Sequence, residues 1–304
     1  MIDWKLKLLI VVLTNAGGTG KTHVTEILDC LARLAGLSVC VVDADQGCRG
    51  YINRNGKANA TVLNWNAGEM LQPAEWSARH LAQVDVGIFD LGANFLSMDT
   101  PAAGFLNDVV ETAQDQNIRT VFAPIDAPDK VGARLLAERL YTQFSTLFEV
   151  FIVKNDNRGT GNFGPARLID PQTLSIPFLD AGYESVRLRQ QRRLDEVIEA
   201  PEDGYAMASA AIASRLLEIA NNPIVEDLFG TAMRKPLEAA AQGRPGPLRF
   251  VVATPADARD EKLRANMAVR AAHTILARSA SADPQALQAA FEAEREALLR
   301  FQKC

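Results

Sequence analysis

No run in this chain approaches the ~18 uninterrupted apolar residues of a membrane-spanning helix, so a transmembrane segment is not expected. Histidine is scarce, with three in 304 residues, and little of the chemistry can rest on imidazole. The four cysteines, Cys30, Cys40, Cys48 and Cys304, have no metal-type spacing. Cys30 and Cys40 fall in apolar helix and strand patterns, where buried free thiols are expected rather than disulfides. The chain also lacks a basic excess. Its formal net charge is −5, so any nucleic-acid contact must come from a local patch. There are no internal repeats and no low-complexity tracts. Trp4-Lys5-Leu6-Lys7 precede an apolar run too short for a secretory leader, and a cytoplasmic location is expected. Hydrophobic residues at 48% and charged residues at 23% are ordinary for a soluble globular protein. The length accommodates one α/β domain of about 220 residues and an appendage.

What is present is concentrated near the start. The apolar run Leu8-Leu9-Ile10-Val11-Val12-Leu13-Thr14 breaks into Asn15-Ala16-Gly17-Gly18-Thr19-Gly20-Lys21-Thr22. A helical pattern then follows directly through Val24, Ile27, Leu28, Leu31 and Leu34. Strand, glycine-rich turn and helix in this order build a phosphate site. The glycines let backbone N–H groups converge on phosphate oxygens, Lys21 neutralises the terminal phosphates, and the Thr22 hydroxyl reaches Mg²⁺. The helix adds the positive end of its dipole and its unpaired N–H groups. The chain is expected to bind a nucleoside triphosphate. His23, inside the first helical turn, is expected to lie beside the nucleotide, packing or capping rather than catalysing.

Two further strand ends carry acids. Val41-Val42-Asp43-Ala44-Asp45-Gln46-Gly47 sets two carboxylates at i and i+2, on one side of an extended strand. Val86-Gly87-Ile88-Phe89-Asp90-Leu91-Gly92 is an apolar strand ending in Asp90, in position to hold a Mg²⁺-bound water. Either member of the Asp43/Asp45 pair is also suited to capping the next turn.

Together these motifs resemble the ParA/MinD family of P-loop ATPases. Gly17-Gly18-Thr19-Gly20-Lys21-Thr22 is similar to its deviant Walker A loop, Asp43-Ala44-Asp45 to its D-x-D box, and Val86–Asp90 to its Walker B strand. Thr120-Val121-Phe122-Ala123-Pro124, Phe151-Ile152-Val153-Lys154-Asn155-Asp156 and Ser175-Ile176-Pro177 follow in the order of the family's later strands and adenine-side loops. The resemblance covers roughly residues 5–220. It implies ATP and Mg²⁺ as cofactors, with Thr22, Asp43 and Asp90 around the metal and Asp45 orienting the attacking water. It places Asn155 and Pro177 on the adenine, with Asn157 or a backbone group near Pro177 as alternatives to Asn155. It further implies slow hydrolysis, an ATP-dependent dimer and a protein that stimulates turnover. The work served would be positioning or segregating DNA or protein cargo, in plasmid partition or as an accessory to conjugation. In the family a lysine opens the loop and reaches across the dimer. Here that position is Ala16, as in some accessory ATPases of plasmid stability and conjugation. Two rivals are a small-molecule kinase or synthetase of the same superfamily and a nucleotide-binding scaffold without hydrolysis. The full N-K-x-D guanine box is absent at Asn155-Asp156, which favours ATP over GTP.

Apolar runs predict strands at 8–14, 38–43, 84–90, 119–124 and 149–154, and helices at 21–35, 73–82, 102–115, 129–146 and 202–220. This alternation predicts a doubly wound, mostly parallel sheet with helices on both faces and ligands at the carboxyl ends of the strands. Segment 155–172, rich in Asn, Gly, Arg and Asp, reads as a loop beside the nucleotide. Arg187, Arg189, Arg192 and Arg193 form a basic cluster, suited either to DNA phosphates or to a solvated helix face paired with Glu184, Asp195, Glu196 and Glu199. No aromatics interleave it, so single-strand stacking is not expected. The pattern breaks after Asn221-Asn222-Pro223, which sets a boundary near 222 between the ATPase domain and a mainly helical extension, residues 223–304. That extension has a strand pattern at 248–253 and helical patterns at 257–279 and 284–302. The last of these mixes both charge signs, unlike a cationic membrane-targeting helix.

Overall fold

A computed structural model describes residues 4–45, 47–63, 72–93, 101–164, 168, 171–179, 192–201 and 206–242. The chain divides into two compact units, residues 1–179 with 187–244 and residues 180–186 with 245–304. Every residue of the second unit lies outside the described set, as do the strand and helices expected beyond 247.

Among the described residues, the first unit is built on a sheet of eight strands: β1 (Leu8–Leu13), β2 (Val39–Ala44), β3 (Thr61–Val62), β4 (Val86–Leu91), β5 (Arg119–Asp126), β6 (Glu149–Val150), β7 (Ile152–Asn155) and β8 (Thr173–Ile176). Their order is β3-β2-β4-β1-β5-β7-β8, with β6 also on β5, and every pairing among the described residues is parallel. The helices are α1 (Lys21–Leu34), α2 (Gly50–Asn55), α3 (Pro73–His80), α4 (Pro101–Asp115), α5 (Val131–Phe144), α6 (Leu194–Glu199), α7 (Ala206–Ala220), α8 (Pro223–Phe229) and α9 (Arg234–Ala241).

β1 is apolar throughout because it is the central strand with both faces covered. Leu9, Val11 and Leu13 join a core cluster with Trp76 of α3 and Phe105, Leu106 and Val109 of α4. Leu8, Ile10 and Val12 point to the other face by the two-residue period, and they are equally buried. Trp76 meets Phe105 edge-on at 5.3 Å between ring centroids, which fixes α3 against α4. Helices α8 and α9 pack on α7, burying Val225, Met233 and Leu237, so this unit continues past residue 222.

The start of β2 is held from a neighbouring turn. Asp85 Oδ2 accepts from the Ser38 amide at 2.9 Å and the Ser38 hydroxyl at 2.6 Å, and it pairs with Lys5 Nζ at 3.0 Å. The Ser38 hydroxyl, with the Ser38 amide and Lys5 behind it, pulls the Asp85 carboxyl down to about 2. An Asp85→Ala variant is expected to lose about 1.5 kcal/mol near pH 7, the scale of a hydrogen bond to a charged group. A depressed carboxylate stabilises above its unfolded pKa, so the wild-type advantage should shrink as pH falls from 3.8 towards about 2. Urea denaturation at pH 7 and pH 2 measures both. An equal gap at the two values would reject this role.

Candidate functional site: a phosphate loop facing two acidic strand ends

The loop between β1 and α1 lies at the carboxyl end of the central strand, where a parallel sheet offers its crevice. Gly18 and Gly20 turn it with φ of +69° and +82°. Gly20 is obligatory for a second reason: a Cβ there would collide with Asn155 Nδ2. Lys21 opens α1 and is 8% exposed. Burial lowers its ammonium pKa, and the nearby charges of Asp90 and Asp45 oppose that shift.

Thr22 Oγ1 donates to Asp90 Oδ2 at 2.9 Å, tying the phosphate loop to β4. Register places Asp43 of β2 beside Asp90 on the adjacent strand. Both carboxyls are buried, at 0% and 1% exposure. Burial pushes Asp90 up to about 7, and the neighbouring Asp43 charge adds to this, while the Thr22 bond and Lys21 pull it down. Asp90 Oδ1 is buried with no hydrogen-bond partner among the described residues. Asp43 spends its oxygens on backbone N–H groups, Oδ1 on Asp45 at 3.2 Å and Oδ2 on Ile52 at 3.1 Å. Burial raises its pKa and those two bonds oppose the rise. Asp45 Oδ1 accepts from Gly47 and Cys48 amides at 3.0 and 3.2 Å, closing the turn after β2. Asp45 therefore caps a turn and also lies within electrostatic reach of Lys21.

These residues fit a magnesium–nucleotide group. Thr22 offers a hydroxyl, Asp90 an uncommitted buried oxygen, and the loop a glycine cradle beside a cation. Among the described residues no cluster of three or more His, Cys, Asp or Glu side chains could hold a metal by itself.

Asn155 and Asn157 brace the loop from below. Asn155 Nδ2 donates to the Thr19 carbonyl at 2.9 Å and to that of Gly20 at 3.4 Å, and Asn157 Nδ2 donates to the Gly18 carbonyl at 2.9 Å. With carbonyls as partners, the amide orientation is the chemically required one. The oxygens of both side chains are buried without partners among the described residues. Pro177 follows β8 and is half-buried, and His23 sits half-buried in the first turn of α1.

Sequence reasoning missed the polar seam that fixes α2 to α1. Glu26 is 2% exposed and accepts from Arg54 Nε at 2.8 Å and Asn55 Nδ2 at 2.9 Å. Asp29, equally buried, accepts from the Tyr51 hydroxyl at 2.6 Å and Arg33 Nε at 2.7 Å. Two acids inside the apolar stripe of α1 were the available signal. Arg49 was missed as well. It has φ of +46°, and its Nη1 donates to the carbonyls of Asp43 at 3.0 Å and Leu63 at 3.4 Å, fastening the turn that carries Asp45.

The basic cluster divides. Arg187 and Arg189 lie outside the described residues, as does Gln46. Arg193 is committed internally: Nε and Nη2 fork onto Asp195 at 3.0 Å each, and Nη1 donates to Asn59 Oδ1 at 2.7 Å. Arg192 donates to the carbonyls of Glu196 and Ala200. Among the described residues no helix is long and apolar enough to cross a membrane.

No family model matches the sequence, and no curated protein matches it. Solved structures do resemble it. The septum site-determining protein MinD of Pyrococcus horikoshii OT3, complexed with Mg-ADP, is 13% identical over 79% of this chain and 99% of that one, with a TM-score of 0.43. A nucleotide-binding protein of Archaeoglobus fulgidus in complex with ADP is 17% identical over 62% and 88% respectively, with a TM-score of 0.39. A ParA family ATPase of Chlorobium tepidum TLS is 11% identical over 78% and 98%, with a TM-score of 0.38. At these TM-scores the likeness is partial, and the chemistry of the site stands on its own side chains.

Proposed function

We propose that this protein is an ATP-binding, slowly hydrolysing switch of the ParA/MinD kind that positions or segregates DNA or protein cargo. The observation that carries the reading is the Thr22–Asp90 hydrogen bond between the phosphate loop and β4, with Asp90 Oδ1 unpartnered among the described residues and Asp90 within electrostatic reach of Lys21. Lys21 and the loop amides of Gly17 to Thr22 would hold the phosphates, and Thr22 and Asp90 would hold Mg²⁺, with Asp43 behind them. Bound Mg²⁺ supplies charge neutralisation for phosphoryl transfer. Asp45, on a turn fastened by Arg49, would orient the attacking water; His23 has no assigned proton transfer. Asn155 and Asn157 would brace the loop beneath the phosphates, and the adenine would lie on the side of Pro177. DNA contact, if it belongs to this switch, would fall to Arg187 and Arg189, because Arg193 is spent on Asp195 and Asn59. The reading includes a cytoplasmic location and a protein that stimulates turnover.

Light-scattering mass at low salt, with ATP, with ADP and without nucleotide, tests the switch in the wild type and in Asp45→Ala. A dimer that forms with ATP alone and persists longer in the variant is expected. A mass indifferent to nucleotide would reject the dimer. Ala16 then favours the second reading, a nucleotide-binding scaffold. Turnover stimulated only by a metabolite would instead indicate a small-molecule kinase.

A further inference from the structure

Among the described residues, a cavity of about 240 Å³ is lined by the buried Asp126 and by the half-buried Arg134, whose Nε is itself buried. It lies where β5 runs into α5. Asp126, Lys130, Val131 and Arg134 line one side, and Asn162 and Gly164 the other. The two sides are fastened together. Arg134 Nη1 donates to the Phe163 carbonyl at 2.7 Å, and Asn162 Nδ2 donates to Asp129 Oδ1 at 3.1 Å. A Cβ at Gly164 would displace the Arg134 guanidinium, and the φ of +67° there also favours glycine.

The lining is not self-sufficient. Asp126 is 4% exposed, and its Oδ1 has no hydrogen-bond partner among the described residues. Arg134 Nε is also buried and unpartnered among them. The two groups sense each other's charge without closing into an ion pair. Burial pushes the Asp126 carboxyl up to about 6; Arg134 and Lys154 oppose the rise and Glu138 adds to it. Above that value Asp126 is an anion, so at neutral pH the cavity presents an anionic acceptor and a cationic donor. The two charges partly offset each other and the Ala127 amide bonds the Asp126 carboxyl, but Asp126 Oδ1 and Arg134 Nε are left without a hydrogen bond among the described residues, which is costly for buried atoms. A neutral amide would satisfy the hydrogen bonds but neither charge. A molecule with both charges reversed satisfies all four requirements, and charge-assisted hydrogen bonds are the stronger kind. The volume falls below the usual range for drug-sized ligands, about 300–1,000 Å³, and suits one small metabolite. Val131, 58% exposed at the rim, offers an apolar contact for a short side chain.

We propose that this cavity binds a zwitterion of the α-amino-acid class, its ammonium on Asp126 and its carboxylate on Arg134. The site uses none of the phosphate-loop residues, so it stands or falls independently of the nucleotide reading. Its outer wall nevertheless continues in sequence from Asn155 and Asn157, which hold the loop carbonyls.

The test is saturation-transfer NMR on the full chain with each of the twenty α-amino acids. At least one is expected to bind at about 1 mM or tighter, the range of a small ligand held by two charge-assisted contacts. Asp126→Asn and Arg134→Gln should each weaken it by about tenfold or more. The N-acetyl and carboxamide derivatives of the same amino acid, each lacking one charge, should weaken to a similar degree. Val131→Trp, at an exposed position where folding is not at stake, should bar entry and keeps the test decisive if Asp126→Asn fails to fold. Absence of binding by every amino acid at about 10 mM would overturn the proposal. So would binding that survives Val131→Trp and the charge substitutions, or derivatives that bind as well as their parent.

Discussion

Replacing Lys21 by methionine is expected to weaken ATP binding about 100-fold or more while raising the melting temperature of the nucleotide-free protein. The two effects have opposite signs because one ammonium has two environments. Without nucleotide it is 8% exposed, and burial lowers its pKa despite the nearby Asp90 and Asp45 charges. A lysine whose folded pKa lies below its unfolded value disfavours the fold wherever it is charged in the unfolded chain. Stability of the nucleotide-free wild type should therefore rise with pH on approach to 10.5. Methionine removes the desolvation cost and keeps most of the stem, so that pH slope disappears. With phosphates in place the ammonium has its counter-charge, and truncating one partner of a buried charge pair costs about 2–5 kcal/mol. Titration with a fluorescent ATP analogue and calorimetric melting between pH 7 and 10.5 read the two arms separately. Affinity within about threefold of wild type would remove Lys21 from the phosphate site. A lowered melting temperature would show its ammonium to be structural.

The readable part of this chain was the part written locally. β1, β2, β4 and β5 begin and end within about two residues of expectation because buried parallel strands are continuous apolar runs. The strand expected over 149–154 is instead two, Glu149–Val150 and Ile152–Asn155. The split is at Phe151, where its amide donates to Phe122 and the pairing moves along β5. β3 has two residues, and α2 and α6 have six each, too short for any period to register. The acids and the phosphate loop were legible for the same reason as the long strands. Each motif is contiguous, and each terminates an apolar run at the same end of the sheet. Contacts that join distant segments were not. The fork of Arg193 onto Asp195 lies two residues apart, yet its bond to Asn59 spans the sequence, and without it the cluster reads either as a DNA-phosphate contact or as a solvated, acid-paired face. The resemblance assigned Asn155, the last residue of β7, to the base side. Its bonds to Thr19 and Gly20 depend on β7 and β1 both flanking β5, which only the strand order reveals.

Asn155→Ala is expected to weaken binding of ATP, GTP and inorganic tripolyphosphate by one common factor, about tenfold or more. The reasoning starts from the peptide unit. In a trans peptide the carbonyl and the following N–H point in opposite directions, so an amide that holds the carbonyls of Thr19 and Gly20 aims the next N–H groups away from itself. Those next residues are Gly20 and Lys21, at the opening of α1. Asn155 is 0% exposed; removing it frees the buried Thr19 carbonyl, at a cost of about 1–3 kcal/mol, while the Gly20 carbonyl keeps its bond from the Val24 amide, and the Thr19–Gly20 peptide plane can rotate. The loss falls on the phosphate cradle and is blind to the base. Asn155 Oδ1, buried and without a partner among the described residues, supports the contrary expectation, because an adenine amino group is a fitting donor for it. A base-reading role makes a different forecast: ATP affinity falls, GTP affinity changes less, and tripolyphosphate is untouched. Calorimetric titration of the three ligands against wild type, Asn155→Ala and Asn157→Ala separates the two. The brace predicts parallel losses, with a smaller one for Asn157, which holds only the Gly18 carbonyl. If tripolyphosphate binds Asn155→Ala as it binds wild type, the amide is a base contact and the loop keeps its shape through its glycines alone.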